Sequence, residues 1–260
     1  MRMLLALIAL TLGACASPAT QSGFLSGYDG LQPDKRGVRA KVSARAGGDE
    51  LAGLKRVFIA PTRFADGADP AWMTPAERQL LLREVDAQLC FELSERYAIA
   101  ADDAADARVR AAVTNVQPTG RAASAAAAAA GFFIPGPIKL RAPGTLGALG
   151  AEAELMHPDG RQLAAISWNR AATPVGTDGP SLSRIGDALQ FAEPFADAAA
   201  KAMTAPEAEH RNVDKPDPCA VYGARFRPEG FLAKVATGLY VPGMSGARAA
   251  EPQPVGVATP

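Results

Sequence analysis

The sequence predicts an α+β domain: a mostly antiparallel sheet with two helices packed on one face, in the order β-α-β-β-(long loop)-β-β-α. Three observations carry this expectation. Thr74-Pro75-Ala76-Glu77 is a helix start, in which Thr74 caps, Pro75 suits the first helical position and Glu77 completes a capping box. Arg108 to Val113 and Ala151 to Leu155 begin by alternating polar and apolar residues, the period of a strand with one buried face. Pro158-Asp159-Gly160 is a tight-turn signal between two strands.

The totals set bounds on this picture. The chain has 260 residues and is 48% hydrophobic, enough for one domain with a core and extensions. Aromatic content is only 6%, so a core rich in Ala buries little area per residue. Lys+Arg and Asp+Glu are equal at 27 each, which removes any global field toward nucleic acid.

Taken in order, residues 1–14 read as a signal peptide. Arg2 gives a positive start, Leu4 to Leu12 an apolar run too short to span a bilayer, and Leu12-Gly13-Ala14-Cys15 the end. That tetrapeptide resembles the lipobox of bacterial lipoproteins. The resemblance implies a lipid on Cys15, and Ala16 after it, where Asp would be the usual inner-membrane retention signal, gives the expectation of anchoring in the cell outer membrane at its periplasmic face. The alternative is an ordinary secretory signal in which Cys15 is incidental.

Residues 15–54 read as a lipidated tether with one local anchor. The anchor is Gly23-Phe24-Leu25-Ser26-Gly27-Tyr28-Asp29-Gly30-Leu31-Gln32-Pro33, where Phe24, Leu25, Tyr28 and Leu31 share helical spacing. Here the chain resembles bacterial lipoproteins of the domain of unknown function 3313, whose mature N-termini carry a similar pattern. The likeness runs on, more loosely, to about Met203. It implies location and fold, not chemistry. Lys35, Arg36, Arg39, Lys41 and Arg45 form a basic patch, read as a solvated linker in preference to a headgroup contact.

The α+β domain is placed at 55–204. Lys55 to Phe64 is a strand apolar on both faces, hence interior, with Pro61 ending its pairing on one side. The first helix carries a stripe of Leu81, Leu82, Val85, Leu89 and Leu93 and runs to about Arg96. Tyr97 to Ala100 is a short strand, and Asp102, Asp103 and Asp106 are turn residues. The two alternating strands are expected to pair Arg110 with Glu152 and Arg108 with Glu154 as a solvated charge ladder. Between them lies an excursion, Thr119 to Leu149, with an Ala run and then Phe132, Phe133 and Ile134. These three are the candidate contact with a membrane or partner, against a loop that folds back on the domain. After the turn, Ala164, Ile166 and Trp168 face the core. Ser181 is expected to cap the second helix, with Pro194 kinking or splitting it.

Residues 205–260 read as a Pro-rich C-terminal segment, partly disordered. Phe231, Leu232, Val235, Leu239 and Tyr240 are the residues able to cover the domain. With Cys15 lipidated, Cys90 and Cys219 remain, and an oxidising compartment pairs them as a disulfide.

The sequence shows no Gly-x-Ser-x-Gly, P-loop or dinucleotide fingerprint, and His157 and His210 stand apart from acids and Cys at metal spacing. No catalytic residue, metal or cofactor is therefore expected. The element order is similar to envelope transport-auxiliary and TolB-amino-terminal-like modules. The expected function is a non-enzymatic envelope lipoprotein that binds or supports a protein complex. A small-ligand or lipid-binding module is the alternative, and a hydrolase a further one.

Overall fold

Thr74 starts helix α1 (Pro75–Ser94) as expected. Glu77 N–H donates to Thr74 Oγ1 at 3.2 Å, and Thr74 N–H donates to Glu77 Oε2 at 2.8 Å. Leu81, Val85, Leu89 and Leu93 are fully buried along one stripe. This computed structural model describes residues 21–34, 39–102, 104–121, 124, 139–141, 146–176 and 178–246. The expectations placed on Cys15 and on Phe132, Phe133 and Ile134 lie outside the described residues.

Among the described residues the strands are β1 (Gln32–Pro33), β2 (Lys41–Arg45), β3 (Arg56–Ile59), β4 (Arg63–Phe64), β5 (Ala98–Ala100), β6 (Ala107–Gln117), β7 (Lys139–Leu140), β8 (Ala148–Met156), β9 (Gln162–Ala171) and β10 (Val175–Gly176). The main sheet runs β1-β2-β9-β8-β6-β3-β5, with β4 also on β6; β7 and β10 form a separate pair. Pairing is antiparallel from β1 through to β6 and parallel among β6, β3, β4 and β5. The fold is α+β with a mostly antiparallel sheet.

Helix α1 and α2 (Gly186–Ala202) pack on each other and on one face of the sheet. Val57, Val109, Leu155, Ile166 and Trp168 supply the sheet side of that core. Phe195 meets Trp168 with ring centroids 5.9 Å apart. Alanines at 111, 153, 164, 192, 196 and 199 fill the rest, bringing helix and sheet close together.

Four local expectations need correction. The strand over 55–64 is two strands, because Pro61 has no N–H to donate and the chain bends there. Thr62 N–H donates to Asp86 Oδ1 at 2.8 Å instead, tying the bend to α1. Ser181 does not cap α2, whose N-cap is Ile185 with no side-chain cap bond. Ser181 packs against Gly186, where a Cβ would lie 2.3 Å from its side chain, and its Oγ donates to Tyr240 O at 2.9 Å. Of the kink or split expected at Pro194, the split does not occur, and α2 runs through it as one helix.

The fourth correction is the register of β6 on β8. Arg110 stands opposite Glu154, Arg108 opposite Met156 and Glu152 opposite Ala112. The expected pairs are offset by two residues. Side-chain faces alternate with period two, so this slip keeps every residue on its expected face. The face itself is not solvated: Glu152 is 1% exposed and Glu154 0%.

The first 54 residues do more than tether. β2 pairs with β9, placing Val42 beside Trp168 and Ala44 beside Ile166, and Leu51 is fully buried. The turn at 158–160 stands as read, with Gly160 at φ 89°. That left-handed conformation strains any side chain with a Cβ.

Candidate functional site

The second face of the sheet is covered by residues 22–31, here called the strap. Phe24 and Leu25 are 6% and 5% exposed and cluster with Ala65, Ala112 and Ala165. Small residues at 112 and 165 leave room for them. The guanidiniums of Arg63 and Arg110 lie 5.1 and 5.2 Å from the centroid of the Phe24 ring.

Two buried carboxylates hold the strap down. Glu152 Oε2 accepts from Ser22 Oγ at 2.5 Å and from the Tyr28 hydroxyl at 2.8 Å. Tyr28 in turn accepts from Gly23 N–H at 2.8 Å, so its hydroxyl closes a turn within the strap. Gly23 takes φ 81°, the conformation this turn needs. Glu154 Oε2 accepts from Ser26 N–H and Ser26 Oγ, both at 2.8 Å, and from Gln162 Nε2 at 2.7 Å. Arg110 lies 2.9 Å from Glu154 Oε1. Hydroxyl and amide donors thus meet both acids, and Glu154 has a guanidinium as well. The arrangement binds the strap to the sheet.

A second buried knot ties the ends of the long excursion. Arg141 meets Asp187 through two nitrogens at 2.5 and 2.9 Å, both side chains almost wholly buried. Asp187 lies in the first turn of α2, where the helix dipole favours a carboxylate. It also accepts from Gly147 N–H at 2.8 Å, and its own N–H donates to Thr119 Oγ1 at 3.0 Å. Neither Arg141 nor Asp187 stands out in the sequence, since 46 residues separate them.

Cys90 and Cys219 are joined by a disulfide, with Cα atoms 5.8 Å apart. The bond is buried beside Ala87 and Phe91 and lays the C-terminal segment along α1. Arg225 reinforces it, pairing with Asp217 at 2.7 Å and donating to Phe91 O at 3.0 Å and Ser94 Oγ at 2.8 Å. The segment ends in helices α3 (Pro228–Thr237) and α4 (Pro242–Ser245). Beside them, between α1 and α2, runs a groove of about 630 Å³. Its walls include Glu84, Gln88, Glu92, Glu193, Asp197 and Tyr240. Burial, and then the charge of Glu84, pushes the Tyr240 hydroxyl far above the ordinary phenol range.

Among the described residues, no cluster of His, Cys, Asp or Glu is arranged to hold a metal, and no helix is long and apolar enough to cross a membrane.

Fold and site together define a small α+β protein in which an N-terminal strap covers one face of the sheet and a C-terminal segment is fastened to a helix on the other. The family model described as Protein of unknown function (DUF3313) matches residues 20–199, and the chain belongs to that family. Among solved structures it is similar to the PelC dodecamer from Paraburkholderia phytofirmans, at 11% identity and a TM-score of 0.38, covering 65% of this chain and 99% of that one. A DUF4136 family protein from Bacteroides thetaiotaomicron is similar at 10% identity and a TM-score of 0.35, again over 65% and 99% of the two chains. No curated protein matches the sequence.

Proposed function

We propose that this chain is a lipid-anchored protein of the bacterial outer membrane that works by binding, as a support for an envelope assembly or transport complex, and not by turning over a substrate. The observation that carries this reading is the docked strap. Ser22 is bonded to the sheet only seven residues after Cys15. Seven residues of fully extended chain span at most about 25 Å. A lipid on Cys15 therefore holds the folded body within that distance of the bilayer, with the strap-covered face nearest the anchor. A freely roaming enzyme gains little from so short a leash, whereas a docking platform gains a fixed height and orientation. The polar groups that most resemble catalytic ones, Glu152 and Glu154, are spent on holding the strap.

The test is Cys15→Ser in the native host. One acyl chain binds reversibly and two or more hold firmly, at about 0.8 kcal/mol per buried CH₂. The variant is expected to leave the membrane fraction or to keep its signal uncut. Recovery of the variant in the outer membrane at processed mass would overturn the anchor.

A further inference from the structure

The C-terminal helix wears its apolar stripe on the outside. Of the residues expected to cover the domain, Tyr240 packs against its core, yet Phe231, Leu232 and Val235 in α3 are 64%, 63% and 68% exposed. Their spacing places them on one helix face. Phe226, just before the helix, is 76% exposed. The inward side is committed by a close approach. A Cβ on Gly230 would lie 2.6 Å from Ser245 Oγ and 2.7 Å from Met244 O, so α3 cannot roll its stripe inward without lifting off α4.

The stripe borders a channel of carboxylates. Phe231 shares a wall with Glu92, Glu95 and Glu193. Asp197 follows Glu193 at i, i+4 along α2, and both are exposed. Burial raises the Glu92 carboxyl above its ordinary range, and the charges of Asp197, Glu95 and Glu193 raise it further. The arginines on this wall are engaged. Arg225 holds Asp217, and Arg227 donates to Ala224 O at 3.0 Å and Tyr222 O at 3.1 Å. His210 lies 3.5 Å from Glu95. Arg39 and Lys234 line the larger groove but not this wall.

We propose that α3 and the channel beside it dock a cationic amphipathic segment of a partner protein. The segment's apolar residues lie on Phe231, Leu232 and Val235, and its Lys or Arg side chains enter the channel. This deepens the binding role proposed above by naming the partner's chemistry. Helix α3 has 10 residues and is about 15 Å long, room for about three turns of a partner helix. The same four carboxylates repel anionic headgroups, which sets the occupant apart from a lipid surface. The family match ends at residue 199, so the stripe belongs to the part of the chain beyond it.

The experiment uses the full chain in detergent and a fluorescent Leu/Lys amphipathic peptide of about 15 residues, read by anisotropy. Phe231→Glu adds negative charge at an exposed site. Adsorption by charge alone would survive or strengthen in that variant, whereas docking on the stripe weakens by about tenfold or more. Glu92→Gln with Glu193→Gln is expected to weaken binding and flatten its salt dependence. Equal affinity of the wild type and Phe231→Glu overturns the proposal, as does equal affinity for a Leu/Glu peptide. Binding of phosphatidylglycerol vesicles that Phe231→Glu abolishes overturns it in favour of a lipid surface. A dimer in sedimentation that Phe231→Glu dissolves overturns it in favour of a second copy. The assay reads the groove away from any membrane, so its failure leaves the anchor standing, and failure of Cys15→Ser leaves the groove standing.

Discussion

Glu154 has no exposed surface and takes donors from three segments of the chain: Ser26, Gln162 and Arg110. Removing it takes a partner from Arg110 and frees the middle of the strap. Arg110 is 36% exposed and water can replace its partner, so the main loss is the hydrogen bonds that Ser26 and Gln162 make to a charged group, about 1.5–3 kcal/mol each. Glu154→Ala is therefore expected to lower stability by about 3 kcal/mol or more in urea unfolding, and Ser22→Ala at the strap's end by about 1 kcal/mol. Equal effects would show that the strap hangs from Phe24 and Leu25 and not from the acids. In the sequence Glu152 and Glu154 look like a solvated ladder, because their strap partners lie 124 to 130 residues away and carry no charge. Charge pairing was the visible signal and holds for Arg110 with Glu154; the hydroxyl donors of the strap were the partners it did not show. Asp217 gives the pH-dependent prediction at this scale. Hydrogen bonds from Arg225, followed by the Cys219 N–H, hold its carboxyl below the ordinary range against a partial cost of burial. The folded value lies below the unfolded one, so this stabilisation is present above the unfolded pKa of about 3.9 and is lost as pH falls through the folded value. The melting temperature is expected to drop below about pH 4, and Asp217→Asn to make the drop shallower.

Among the elements, α1 was legible because its start signal is local: Thr74, Pro75 and Glu77 sit within one turn. The hairpin at 158–160 was legible for the same reason. The register of β6 on β8 was not, since a shift of two residues leaves the hydrophobic pattern unchanged, and the bulge between Val113 and Asn115 has no marker in the sequence. β1 and β2 were hidden by brevity, at two and five residues, and by the surrounding basic patch. The C-terminal helices owe their place to the disulfide, which closes a loop across 129 residues. Chain-entropy reasoning gives such a cross-link about 5 kcal/mol. Cys219→Ser is expected to lower the urea midpoint and to make residues 220–246 the first site of proteolysis. A midpoint that reductant leaves unchanged would mean that Arg225 and the helix contacts suffice.

At the scale of the whole molecule, four layers stack in order: strap, sheet, the α1–α2 pair, and the C-terminal helices. The strap and the C-terminal helices are the outermost of these layers. The layering also sets an order in time. The strap's partners at 152–154, and the partners of β2 at 165–169, follow them by more than a hundred residues. At about 5–20 residues per second the strap waits on the order of 10 s in the growing chain before its acids exist. The residues first to be made are thus among the last to be placed, and until Ala112 and Ala165 have both been made Phe24 and Leu25 lack the full surface they settle on.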